Sequence, residues 1–238
     1  MITSNVIQRV FRLKYKASAG TCFSIDVEGK QYLVTARHVL QIKDTDGKVI
    51  DEFKTGEAVE LLQDNKWISQ LGTLVGHSDT ADVSVFTIPT NIPAHPLPAT
   101  MEGFTYGQEL YFLGFPYGLK SDVGTLNRNF PLPFVKKGIL SAMFFNDPGK
   151  FFFIDGHNNP GFSGGPVVFK EVNTNEFKVA GIIHGYQPEY EEKGGNLVPI
   201  QNTNSGIIKA YSINNAIDII SQNNSSKSDP RASIIENK

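Results

Sequence analysis

Along most of the chain apolar residues come singly or in short runs that alternate with polar ones, and Gly, Asn, Asp or Pro separates the runs. A period of two over four to eight residues marks a strand with one buried face, because successive side chains of extended backbone point to opposite sides of a sheet. Phe23, Ile25 and Val27 alternate with Ser24, Asp26 and Glu28. "EGK" then turns the chain into "QYLVTA", so residues 20–36 read as a hairpin. Further strands are predicted at "AVELLQ", "LGTLVG" and "DVSVFTI" in the first half. The second half offers "ELYFLGF", "KKGILSAMFF", "KFFFID", "GPVVF", "FKVAGIIH" and "GIIKAY". Helical signal is scarce: Ile213, Ala216, Ile217 and Ile220, at i, i+3, i+4 and i+7, make the stripe of one short helix lying on the core.

The two sets of strands are divided by "TNIPAHPLPATMEG", residues 90–103, where Pro93, Pro96 and Pro98 forbid a central strand and predict an extended connector. The polar end of the chain, residues 223–238, is expected to be a disordered tail. No sequence repeat is evident, although two all-β halves of similar size are compatible with structural duplication.

Composition narrows the partners. With 238 residues, 40% of them hydrophobic, the chain can bury a sizeable core. Its net charge of -2, with no long run of one sign, argues against nucleic acid and acidic lipid as partners. Cys22 is the single cysteine, so no internal disulfide forms and a buried apolar role is expected. The first twenty residues lack the apolar stretch of a signal peptide and no later segment is long enough to span a bilayer, which gives a cytoplasmic expectation. No His, Cys or carboxylate cluster has metal-ligand spacing, and neither a metal nor an organic cofactor is expected.

The candidate chemistry lies in "GFSGGPVV", residues 161–168, where glycines flank Ser163. A serine hydroxyl is a poor nucleophile at neutral pH and needs a base, a group that orients the base, and donors for an oxyanion. "VTARHVL" places His38 just after a strand, and "TADVSVF" places Asp82 at the head of another. Asp79, also in "SDTADVSV", competes with Asp82, but the alternating Val83, Ser84 and Val85 favour Asp82 as the strand-head residue and leave Asp79 to a turn. The order His, Asp, Ser is that of chymotrypsin, not of subtilisin or the α/β-hydrolases.

"TARHV", "ADVSVF" and "NNPGFSGGPVV" resemble the three catalytic blocks of trypsin-like serine peptidases, especially the bacterial HtrA-like branch. "YFLGFPYGL", "KKGILSA" and "KAYSINNAIDII" extend the resemblance to residues 18–222, although too few residues follow for a PDZ domain. The resemblance implies an all-β, chymotrypsin-like fold of two antiparallel β-barrels with a short C-terminal helix. Its parts would be an N-terminal extension (1–17), a first barrel (18–92), a connector (93–103), and a second barrel with the helix (104–222). It implies a serine endopeptidase acting on polypeptides through an acyl-enzyme, with Ser163 as nucleophile, His38 as base, Asp82 as orienting group, and the amides of Gly161 and Ser163 as oxyanion hole. By the same analogy His157 lies at the floor of the substrate pocket and His184, Gly185 and Tyr186 form one wall, where two histidines would suit an acidic or polar side chain. Phe162 departs from the digestive trypsins, which carry an acidic residue there that pairs with a newly cut N-terminus. Either the hole is permanently formed, or a loop or an activating partner protein orders residues 157–162. The alternative functions are a latent or inactive peptide-binding module and an esterase.

Overall fold

A computed structural model describes residues 2–92 and 94–228, and within them the period-two segments pair antiparallel in two main sheets that differ in closure. The first half runs α1 (Ser4–Ile7), β1 (Val10–Tyr15), β2 (Ser18–Val27), β3 (Lys30–Thr35), a 3-10 turn (Arg37–Leu40), β4 (Gln41–Lys43), β5 (Val49–Glu52), β6 (Ala58–Gln63), β7 (Lys66–Leu71), β8 (Thr73–His77) and β9 (Ser84–Thr87). Seven of these strands form one sheet in the order β7-β6-β1-β2-β3-β9-β8, left open between β7 and β8, and β4 pairs separately with β5. The second half holds β10 (Glu109–Gly114), β11 (Phe134–Phe144), β12 (Phe151–Asp155), β13 (Pro166–Lys170), β14 (Phe177–Tyr186), β15 (Tyr190–Lys193), β16 (Asn196–Pro199), β17 (Ile207–Ser212) and α2 (Asn214–Ser228). Here β10-β11-β12-β17-β14-β13 close into a barrel, and β15 and β16 form an outlying hairpin.

Local chemistry accounts for much of this. The β2–β3 hairpin turns at Glu28 and Gly29, both at positive φ (51° and 75°), the two-residue geometry that matches strand twist. α2 presents the expected stripe: Ile213, Ala216 and Ile220 are buried, and Ile217 packs on the same cluster. The helix crosses back from the second half onto the first, where Ile219 sits against Gly76 and the Asn223 amide donates to the Val75 carbonyl (2.9 Å). One apolar cluster continues across both halves, from Val10, Phe23, Ile25 and Val85 to Leu113, Val179, Ile182 and Ile220, so the cleft between them rests on a shared core.

Two expected boundaries are corrected. Residues 1–17 are not an appendage: β1 pairs with β2 along its whole length, from Val10↔Phe23 to Tyr15↔Ser18, burying Phe11, Leu13 and Tyr15. Residues 223–228, assigned to the tail, continue α2, while 229–238 lie outside the described residues. The connector is pinned at both ends. Buried Arg9 donates to the His95 carbonyl and pairs with Asp26 (2.6 Å), and the Pro98 carbonyl and Thr100 amide bracket Val179 of β14.

Candidate active site

Three separate segments converge at the cleft. β3 ends at Thr35, and the 3-10 turn that follows buries Val39 and Leu40 beneath it, which leaves His38 on the outer side with its side chain about one-third exposed. Arg37 fixes the turn from outside. Its guanidinium donates to both carboxylate oxygens of Glu52 (2.7 and 3.1 Å) and to the Ser78 carbonyl, and its amide donates to the Asp82 carbonyl. Asp82 stands just before β9 at the end of a tight turn in which Ser78 Oγ accepts the Thr80 and Ala81 amides. Asp79, its rival in the sequence, lines a separate cavity of about 500 Å³ with Phe145, Gly149 and Asn215, and none of His38, Asp82 or Ser163 borders that cavity.

Asp82 grips His38 twice: Oδ1 accepts the His38 backbone N–H (2.8 Å), and Oδ2 lies 2.5 Å from His38 Nδ1. The same Oδ2 also lies 2.6 Å from Nδ1 of His184. Burial alone would raise the carboxyl's pKa, but the donors from His184 and His38 outweigh it and hold the group well below the usual carboxylate range. An ionised carboxylate has no proton to give, so both imidazoles carry hydrogen on Nδ1. In the neutral ring of His38 this leaves Nε2 with a free lone pair, the form a general base requires.

The Ser163 loop is bound to the first half by backbone and hydroxyl contacts. Thr21 of β2 donates its amide to the Ser163 carbonyl (2.9 Å) and its hydroxyl to the Gly161 carbonyl (2.7 Å). Gly164 and Gly165 exchange bonds with Ile183 of β14 (2.8 Å each), and a Cβ at Gly164 would stand 2.2 Å from the Thr21 carbonyl. Gly161 adopts φ +105°, and a Cβ there would meet the Phe115 carbonyl at 2.2 Å. The Pro160 carbonyl accepts the Tyr117 amide (2.8 Å), so the Gly161 N–H of that planar trans peptide points the opposite way. Among the described residues neither the Gly161 nor the Ser163 amide has an acceptor. Phe162 is fully buried against Phe112 (5.2 Å between rings), with Lys136 Nζ 5.6 Å from its ring. An apolar plug therefore occupies the position of the digestive enzymes' acidic residue.

The Ser163 hydroxyl donates to the His184 backbone carbonyl (3.1 Å), not to the His38 ring. His184, Gly185 and Tyr186 are half-buried at the end of β14, whereas His157 is exposed and Lys136 holds its carbonyl (2.7 Å). The two histidines assigned to one pocket thus part company: His184 turns its ring to Asp82, and no hydrogen bond joins it to His157. The pairing of His184 with Asp82 is not signalled by sequence spacing. His38, Asp82 and His184 offer three ligand atoms within 4.8 Å of one another. Two ligands of a tetrahedral zinc lie about 3.4 Å apart, whereas both nitrogens here lie at hydrogen-bond distance from one oxygen, an arrangement that uses protons in place of an ion.

A family model for the trypsin-like peptidase domain matches residues 20–177. The chain belongs to this family. Its fold is similar to that of the HtrA-type protease AlgW solved with a tripeptide (TM-score 0.59, 24% identity), covering 92% of this chain and 61% of that one, so the chain spans about three-fifths of AlgW. AlgW with a decapeptide gives a TM-score of 0.60 at 20% identity, covering 93% and 66%. The Rv3671c protease of M. tuberculosis H37Rv, in its inactive form, gives 0.57 at 16% identity, covering 91% and 89%. No curated protein sequence matches the chain. Like the trypsin-like peptidases, it carries its serine on a loop between the two halves. No described helix is long and apolar enough to cross a membrane.

Proposed function

We propose that the protein is a serine endopeptidase in which Ser163 attacks the scissile carbonyl and His38 Nε2 takes its proton. His38 would return that proton to the leaving amine, and Asp82 would fix the ring and stabilise its cation. The reading is carried by the two-point grip of Asp82 on His38, which sets both the tautomer and the orientation of a base. The unengaged amides of Gly161 and Ser163 supply the donors for the oxyanion. Turnover then requires one rotation of Ser163 about its Cα–Cβ bond, from the His184 carbonyl toward His38.

A polypeptide substrate fits the sheet edge. The ladder between β13 and β14 stops at Pro166↔Ile182, so the stretch around Gly185 and Tyr186 keeps one edge bonded to β17 and the other facing the cleft. A Cβ at Gly185 would meet nothing within 4 Å. An extended peptide can add to such an edge as a further strand, which holds a carbonyl in register for attack. AlgW, a protein of similar fold, is solved with peptides, in keeping with this reading.

The resting hydrogen bond from Ser163 to the His184 carbonyl favours a second reading, a latent peptide binder. A fluorophosphonate probe separates the two. Labelling that disappears in Ser163→Ala, with cleavage of an unstructured polypeptide, supports the enzyme. Peptide binding without labelling supports the binder. Comparing peptide with ester turnover sets the peptidase apart from an esterase.

A further inference from the structure

β14 and β17 are out of step by one residue at the cleft: Ile183 pairs with Ala210 and Gly185 with Lys209, leaving His184 unmatched. A bulge of this kind re-aims the extra residue's side chain. Here it sends the imidazole to Asp82 Oδ2 at 2.6 Å. The ring is seated edge-on against His38 on one side and against Tyr211 of β17 on the other, both at 5.6 Å between centroids. Its carbonyl meanwhile holds the Ser163 hydroxyl. One residue therefore touches both the orienting carboxylate and the nucleophile.

We propose that His184 is a positioning residue for His38: its Nδ1–H is a second donor to the Asp82 oxygen that orients His38, fixing that carboxylate and moderating its pull on the His38 ring. This rests on the serine-peptidase reading above and replaces the expectation that His184 serves substrate side chains, since its Nδ1 is already engaged. With two donors on one oxygen, each receives a share of the negative charge. Remove one, and the carboxylate is freer to turn while its charge falls wholly on His38, which stabilises the imidazolium. The other charged or titratable groups around the pair are Arg37 on the 3-10 turn, which acts on Asp82 through space, and Tyr211 with Lys209 over its ring (4.8 Å) on β17.

The test uses two substitutions. His184→Ala removes the donor. It should lower kcat about ten- to a hundredfold, the worth of one hydrogen bond to a charged group, with KM little changed, and move the acid limb of kcat/KM to higher pH. His184→Asn can place an amide N–H where Nδ1 stands, and should restore both kcat and the acid limb toward wild type. Altered KM or side-chain preference with unchanged kcat in both variants would overturn the proposal and return His184 to the substrate pocket. Equal loss in both variants without movement of the acid limb would also overturn it, leaving a packing role. A readout independent of turnover is the imidazole N–H spectrum of histidine-labelled Ser163→Ala protein. Two slowly exchanging Nδ1–H signals are expected, one vanishing with His184→Asn and the other with His38→Ala. A single such signal refutes the arrangement even if the wild type proves to be a binder, and an inert wild type with both signals refutes only the peptidase reading.

Discussion

Gly161→Ala is the most direct test of the oxyanion assignment. At φ +105° an L-residue is strained whatever the space around it, and here the space is also lacking: the new methyl would lie 2.2 Å from the Phe115 carbonyl oxygen and 3.1 Å from the Tyr117 nitrogen. Both neighbours are backbone, so no side chain can swing aside, and relief must come from turning the Pro160–Gly161 peptide. That turn breaks the bond from the Tyr117 amide to the Pro160 carbonyl (2.8 Å). Because the two ends of a peptide unit point in opposite directions, it also swings the residue 161 N–H out of the position from which it would meet an oxyanion. Loss of one such donor costs about 10²–10³ in kcat, with smaller effects on KM. Strain of about 1–3 kcal/mol lowers the thermal midpoint by several degrees in a chain of this length. The assay is steady-state hydrolysis of a peptide substrate beside the rate of fluorophosphonate labelling, with thermal unfolding as the control. A folded variant that keeps kcat within about threefold of wild type would refute the assignment of Gly161 to the oxyanion hole.

Three further outcomes follow from the same geometry. Folding holds the Asp82 carboxyl below its ordinary value of 3.8, so its contribution to stability is fully present above that value and drains away as pH falls through and below it. The gap in thermal midpoint between wild type and Asp82→Asn should therefore narrow as pH drops from about 5 to 3, with kcat of the variant down about 10⁴-fold at neutral pH; a pH-independent gap would contradict this. Phe162→Ala empties a fully buried ring site beside Phe112 and should cost about 3–5 kcal/mol, or roughly 10 °C in the thermal midpoint, with a fall in kcat as the loop loses its anchor; a loss under 1 kcal/mol in calorimetry would show that the plug is not what holds the loop. Cys22 is fully buried and burial pushes its thiol far up, so iodoacetamide at pH 8 should leave the folded protein unlabelled and label it fully in denaturant, a result that rapid native labelling would reverse.

What could be read from the sequence divides along a physical line. The β2–β3 hairpin and the α2 stripe were legible because each rests on a local period and a local turn. The three segments that meet at the cleft were legible because the residue types and their order along the chain resemble those of a known family. β1 was missed as a strand although "VFRLKY" alternates as cleanly as its neighbours. β7 and the β15–β16 hairpin left weaker traces, since both are largely exposed and have no buried face to impose a period. Nor could the open edge of the first sheet be foreseen, because it depends on α2 returning from the far end of the chain to lie on β8.

His184 shows why the last layer of the site is hidden from a single sequence. Alternation along "FKVAGIIHGY" predicts which face each side chain takes only while the strand stays in step with its partners. The step is lost at His184 because Ala210 and Lys209, some twenty-five residues further on, pair with Ile183 and Gly185 and leave nothing opposite the residue between them. The side chain's direction is thus set by a count of residues in another strand, and nothing near position 184 records that count. Read by analogy alone, the imidazole belongs to the substrate pocket; placed by register, it belongs to Asp82. A catalytic residue whose neighbours are local can be inferred from a motif, whereas one delivered by a bulge needs the pairing of the sheet before its chemistry can be assigned.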